Sequence, residues 1–79
     1  MKTRGIMMQI IRGMETKILE SELKIDLMRK ASKRFEKRGE SLKVNITEAL
    51  MRNEENQKTY YEGVVAGYKF SLRIMKRRE

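Results

Sequence analysis

The helical spacing of apolar residues constrains this chain more than any other feature of its sequence. Between Gln9 and Arg38 one apolar row recurs at steps of three, four or seven: Ile11, Met14, Ile18, Ile25 and Met28. Such steps put side chains on one face of an α-helix. No proline occurs in the 79 residues, so no residue of the chain forces a helix to break. The spacing therefore predicts an all-α protein.

The same segment carries a second apolar row at steps of four: Leu19, Leu23, Leu27, Ala31 and Phe35. At about 100° per residue this row drifts to the side of the helix opposite the first row. Gly39 follows the basic pair Lys37-Arg38, the position where glycine relieves the left-handed strain of a helix end and where cations suit the carboxyl-terminal dipole. We therefore expect a long first helix with two apolar faces that ends at about residue 38.

The segment after Gly39 is less regular. Residues 40–46 (ESLKVNI) alternate apolar and polar side chains as a strand does, but no other segment offers a partner strand, so the pattern indicates a connector. Asn45 or Thr47 is predicted to cap a helix that begins near residue 46. The polar residues 53–57 leave open whether the rest of the chain, to residue 78, forms one helix or two.

The last helix also has two apolar directions. The first is a stripe about 100° wide, the width of one buried helix face: Tyr61, Val64, Val65, Tyr68, Leu72 and Met75. The second lies behind it: Gly63, Gly67, Phe70 and Ile74. Each helical glycine costs about 1 kcal/mol relative to alanine, so the Gly63-x-x-x-Gly67 spacing predicts a groove that another helix approaches closely. The alternative is a glycine that is merely tolerated.

Two such helices carry more apolar surface than one hairpin covers, and a chain of this size hides only about 60% of its surface on folding. We expect a long helical hairpin of two main helices, with or without a third short one, that forms a homodimer resembling a four-helix bundle. The predicted dimer interface consists of Gly63, Gly67, Phe70 and Ile74. Residues 13–79 form the predicted helical domain, preceded by a loosely ordered segment, residues 1–12.

Composition excludes most catalytic chemistry. Cysteine, histidine and tryptophan are absent, which removes disulfides, Cys/His zinc sites and imidazole catalysis. No glycine-rich phosphate loop or calcium-loop spacing occurs. We expect a protein that is not an enzyme and has no cofactor or metal. No apolar run approaches 18 residues, and Gln9 interrupts the N-terminal apolar patch, so the sequence predicts no membrane span and a cytoplasmic location.

Positive charge is the one functional signal. Lysine and arginine number 19 against 11 acids, for a net charge of +8, and six of the ten residues from 29 to 38 are cations. Basic helices bind phosphate backbones because each neutralised phosphate releases a counterion. The predicted nucleic-acid-binding residues lie at the helix ends: Arg29, Lys30, Lys33, Arg34, Lys37 and Arg38, with Lys76, Arg77 and Arg78 auxiliary.

The sequence thus predicts a small basic, non-enzymatic, nucleic-acid-binding regulator or accessory protein. It contains no helix-turn-helix, zinc-finger or basic-zipper pattern that would read a base sequence. A different class of function remains open, a protein-binding adaptor or inhibitor that docks on an acidic or apolar partner surface. The bland alternatives are a basic face that only keeps the protein soluble or a helix that rests on an anionic membrane surface.

Overall fold

The protein is a rod made of two long helices. In a computed structural model, which describes residues 2–78, α1 spans Lys2–Lys37 and α2 spans Ser41–Arg78. The helices pack along each other as an antiparallel hairpin 61 Å long and 14 by 12 Å across. The described residues contain no strand and no third helix. This confirms the predicted all-α helical hairpin.

The turn between the helices depends on Gly39. Its φ is +72°, a left-handed conformation that glycine adopts without a steric penalty. The Gly39 N–H donates to the Glu36 carbonyl at 3.0 Å, and the Glu40 N–H donates to the Phe35 carbonyl at 3.0 Å. This pair of bonds is a Schellman motif, which satisfies carbonyls at the end of a helix. The predicted role of Gly39 as the residue that ends α1 is confirmed.

The start of the second helix was predicted wrongly. α2 begins at Ser41 rather than near residue 46, and its first hydrogen bond runs from the Val44 N–H to the Glu40 carbonyl at 3.1 Å. Thr47 lies inside α2, where its Oγ1 donates to the Lys43 carbonyl at 2.7 Å and caps nothing. The Gly39 turn reverses the chain within three residues, so no further connector is needed.

α2 continues without a break to Arg78. The polar residues 53–57 stay helical because Glu54 reaches across to α1, where Ser21 Oγ donates to its Oε1 at 2.8 Å. At the other end, residues 2–12 form the first turns of α1. The division of the chain at residue 12 stays a prediction.

The helices meet along one seam whose residues alternate at steps of three and four, the heptad spacing of a coiled coil. All are buried or half-buried. The seam of α1 comprises Met7, Ile11, Met14, Ile18, Ser21, Ile25, Met28, Ser32 and Phe35. The seam of α2 comprises Val44, Thr47, Met51, Glu54, Lys58, Tyr61, Val65, Tyr68, Leu72 and Met75. Each helix therefore covers a single stripe of the other.

The resulting core is thin. Among the described residues only Ile11, Ile25 and Val65 are buried apolar side chains, and none of the large side chains is completely hidden. A two-helix contact is one layer deep, so every seam residue keeps one edge near solvent. The predicted second apolar faces of both helices consequently remain uncovered within one chain.

A polar layer interrupts the seam near the middle of the rod. Besides the Ser21–Glu54 bond, Lys58 Nζ lies 3.4 Å from Glu22 Oε1 across the helix pair. Polar groups in a coiled-coil seam favour the one register in which they find each other, at a cost in stability. The layer therefore aligns the two helices along their length.

We predict that Gly39→Ala destabilises the hairpin by about 1 kcal/mol or more, because a Cβ at positive φ is strained. Urea unfolding followed by circular dichroism measures the change. Gly5→Ala is the matched control, since Gly5 is helical and a Cβ there meets nothing within 4 Å. Equal stability of Gly39→Ala and the wild type would contradict this account of the turn.

We also predict opposite effects from two changes in the polar layer. Ser21→Val alone lowers the urea midpoint, because Glu54 loses its donor at a half-buried site. Adding Glu54→Leu raises the midpoint above that of the wild type, since an apolar pair replaces a desolvated polar one. A double variant less stable than Ser21→Val would show that the layer adds net stability.

Candidate nucleic-acid interface

The turn end of the rod carries the largest group of cations, named here the turn cluster: Arg29, Lys30, Lys33, Arg34, Lys37 and Arg38. All six side chains are exposed. The five that belong to α1 fall within roughly 140° of its surface, at 100° per residue, on the side away from α2. The structure thus gathers the residues predicted from the sequence on one convex surface.

Local contacts leave most of this charge available. Lys30 Nζ lies 3.2 Å from Asp26 Oδ2, an exposed pair one helical turn apart that contributes little stability. Within residues 2–78 no ion pair engages the other five members. Their position at the carboxyl end of α1 is itself favourable, because cations offset the negative end of the helix dipole.

Lys43, also near the turn, is held differently. Its Nζ lies 3.3 Å from Glu40 Oε1 and 5.5 Å from the centre of the Phe35 ring. These contacts fold the side chain back onto the hairpin. Lys43 is therefore part of the turn structure rather than of the turn cluster.

A second group of cations, the open-end cluster, lies on the last turns of α2: Lys69, Arg73 and Lys76. Lys69 Nζ approaches Glu15 Oε2 at 3.5 Å, whereas Lys76 is exposed. The side chains of the predicted auxiliary residues Arg77 and Arg78 lie outside the described residues. In one chain the two clusters occupy opposite ends of the 61 Å rod, so they do not form one surface.

Acidic residues separate the two clusters. On α1 they follow the N-terminal third of the helix: Glu15, Glu20, Glu22 and Asp26. On α2 they occupy the first half and the centre: Glu48, Glu54, Glu55 and Glu62. The net charge of +8 is thus carried by the ends of the rod. A polyanion is attracted to the ends and repelled from the middle.

The charges of α2 are also sorted around the helix. From Ile46 to Ile74 every charged residue lies in the seam or on the side bearing the Lys58–Glu22 and Lys69–Glu15 pairs. The remaining sector, about 160° wide at 100° per residue, is named here the uncharged face of α2. Its members are Ile46, Ala49, Leu50, Asn53, Asn56, Gln57, Tyr60, Gly63, Val64, Gly67, Phe70, Ser71 and Ile74.

The uncharged face of α2 contains all four residues of the predicted dimer interface. Tyr60 and Phe70 are 67% and 60% exposed there. A Cβ at Gly63 or Gly67 would meet nothing within 4 Å, so packing inside the hairpin does not require these glycines. Sequence reasoning missed Ile46 and Leu50, which it assigned to a connector and its edge, although their four-residue spacing is the helical signal.

α1 carries a smaller exposed patch, the leucine stripe: Leu19, Leu23 and Leu27. These side chains are 65%, 62% and 57% exposed and point away from α2. The sequence predicted this row as a second apolar face, and the hairpin leaves it uncovered. Charged neighbours such as Glu20 and Lys30 limit the patch to about two turns of the helix.

Other kinds of site have little basis in residues 2–78. No group of acidic side chains in that range is arranged to hold a metal ion. No helix within it is long and apolar enough to cross a membrane. Comparison of the chain with protein-family models, with curated proteins and with solved structures found no match. The clusters and faces described above therefore carry the functional inference.

Proposed function

We propose that this protein is a small, non-enzymatic, nucleic-acid-binding regulator or accessory protein that acts as a homodimer. The turn cluster carries this proposal, because it presents six exposed cations of which five have no ion pair within the described residues. From Arg29 to Arg38 the cluster extends about 13 Å along the helix axis. Duplex DNA carries about eight phosphates over that length, so several cations can reach phosphates together.

The surface favours backbone contacts over base reading. It is convex, and its lysine and arginine side chains are long, charged donors suited to phosphate oxygens. No aromatic or amide side chain accompanies them between residues 29 and 38 except Phe35, which is half-buried in the seam. The proposed binding is therefore strong at low salt and largely independent of base sequence.

The homodimer is supported by what the hairpin leaves exposed. The core is one layer deep, and the uncharged face of α2 has no partner within the chain. A helix face that is apolar and without charge is energetically poor in water. A second chain removes that surface from solvent, and its position is inferred below.

We predict that a glutamine variant of the turn cluster loses nucleic-acid binding. The variant replaces four cations: Lys33, Arg34, Lys37 and Arg38. Affinity for a duplex of arbitrary sequence should fall by roughly tenfold or more at low salt, and the salt dependence should flatten by about three to four counterions. Fluorescence anisotropy across a salt series measures both quantities.

The control for this experiment removes the same amount of charge elsewhere. It replaces four exposed cations distant from the turn: Arg12, Lys17, Lys24 and Arg52. If net charge alone drove binding, both variants would lose affinity equally. An unchanged affinity of the turn variant would remove this surface as the binding site.

The leucine stripe favours a second candidate function, a protein-binding adaptor or inhibitor. Three leucines at four-residue spacing form the kind of anchor row that an apolar groove accepts. We predict that Leu23→Glu abolishes binding to such a protein partner while leaving duplex binding intact. Recovery of tagged wild-type and variant chains from the source cells checks this. A protein retained equally by both would not be using the stripe.

A further inference from the structure

We infer that the uncharged face of α2 is the dimer interface, packed antiparallel against the same face of a second copy with the two-fold axis near Tyr60. This inference rests on the homodimer proposed above and adds its geometry. The apolar members of the face, including Leu50 and Ile74, are 53% and 37% exposed in one chain. The closest competing surface is the leucine stripe of α1, which is shorter and bordered by charges.

The surface area of a single chain is large enough to supply an interface. The accessible surface is 6387 Å², whereas a compact monomer of 9.4 kDa exposes about 5,000 Å². The excess of roughly 1,400 Å² is more than the 800 Å² that each partner contributes to a standard interface. Packing along one face of α2 therefore brings the rod toward the surface of an ordinary globular protein.

The symmetry of α2 points to a second copy as the occupant. The uncharged face runs from Ile46 to Ile74, so its centre is Tyr60, and the middle of the helix Ser41–Arg78 lies beside the same residue. Two copies related by a two-fold axis there overlap along the whole length of α2. A two-fold interface requires such a self-complementary patch.

The sizes of the side chains favour the antiparallel arrangement. Near the turn the face carries the large Ile46 and Leu50, whereas its other half contains the small Gly63 and Gly67. A two-fold axis at Tyr60 places residues equally distant from it opposite each other, so Asn53 and Gln57 oppose the two glycines. A parallel pair would instead put glycine opposite glycine and leave gaps, which cost stability.

Charge is consistent with the same choice of face. The interface buries no charged residue of α2 between Ile46 and Ile74, because the charges lie in the seam or on the opposite side. Burying an unpaired charge would cost several kcal/mol. At the centre of the rod, α1 borders the face with Lys17, Glu20 and Lys24 beside Gln57, where they form a polar rim.

This arrangement joins the two basic clusters. In one chain they lie at opposite ends of the rod, but an antiparallel partner with full overlap puts its open end beside the turn. The turn cluster of one copy then lies next to Lys69, Arg73 and Lys76 of the other, forming a composite basic surface at each end of the dimer. The nucleic-acid contacts of the auxiliary lysine thereby become part of the same surface as those of the turn.

The first test compares two leucines of similar exposure. Leu50→Glu introduces a charge into the inferred interface, and Leu23→Glu introduces the same charge into the leucine stripe. Light scattering at micromolar concentration should give twice the chain mass of 9.4 kDa for the wild type and for Leu23→Glu. For Leu50→Glu the dimer should dissociate roughly tenfold more readily or fall to the monomer mass. Circular dichroism records helix content.

The outcomes separate the interface from the proposed function. A dimeric Leu50→Glu, or a monomeric Leu23→Glu, overturns the inferred interface while the proposed dimer stands. A monomeric wild type overturns the dimer itself. Duplex binding by a monomeric wild type would leave the nucleic-acid proposal intact, and a wild-type dimer that binds no duplex at low salt would remove that proposal alone.

The second test does not depend on the stability of Leu50→Glu. Because the chain contains no cysteine, single cysteines report which positions meet across the axis. Tyr60→Cys should form a disulfide-linked dimer under mild oxidation, whereas Ile46→Cys should link only when mixed with Ile74→Cys. Leu23→Cys, on α1, is the control. Self-linking of Ile46→Cys, or faster linking of Leu23→Cys than of Tyr60→Cys, would overturn the antiparallel face.

Discussion

The contact between one stripe of α1 and one stripe of α2 is the interaction on which the rest of the structure depends. Its residues alternate at steps of three and four, so both helices keep the same side toward each other over their whole length. Because two helices can cover only one face each, the seam leaves the outer surface of both helices in water. Only Ile11, Ile25 and Val65 become buried apolar side chains. The thin core, the exposed leucine stripe and the uncharged face of α2 all follow from this one-layer geometry.

The seam would be compatible with several registers if it were entirely apolar. Two features select one: the Gly39 turn, which ends α1 within a three-residue connection, and the polar layer in which Ser21 meets Glu54 at 2.8 Å. Both lie far from the open end, yet together they determine which residues share each level of the rod. The basic clusters at the two ends, and the acidic segments between them, are positioned by this register.

Charge is sorted in two directions, along the rod and around α2. Along the rod, the cations occupy the ends, which attracts a polyanion to two places rather than to the whole surface. Around α2, the charges occupy one side and the seam, which leaves the other side free to meet a second helix. The two kinds of sorting support one functional picture, in which an uncharged face holds two copies together and their basic ends contact phosphates.

Much of this could be predicted from local spacing. The sequence by itself determined the all-α class, the two apolar directions of each helix, the end of α1 at Gly39 and the basic residues near the turn, because helix periodicity and a left-handed glycine are local properties of the chain. It did not determine that Ser41 begins α2, since the alternation of Leu42, Val44 and Ile46 fits a strand, a connector and a helix alike. Only the tertiary structure decided that Val44 faces α1, that Glu54 is a seam residue and that Leu50 is exposed. Those outcomes depend on which stripe of each helix the turn and the polar layer bring together, a choice between segments far apart in sequence.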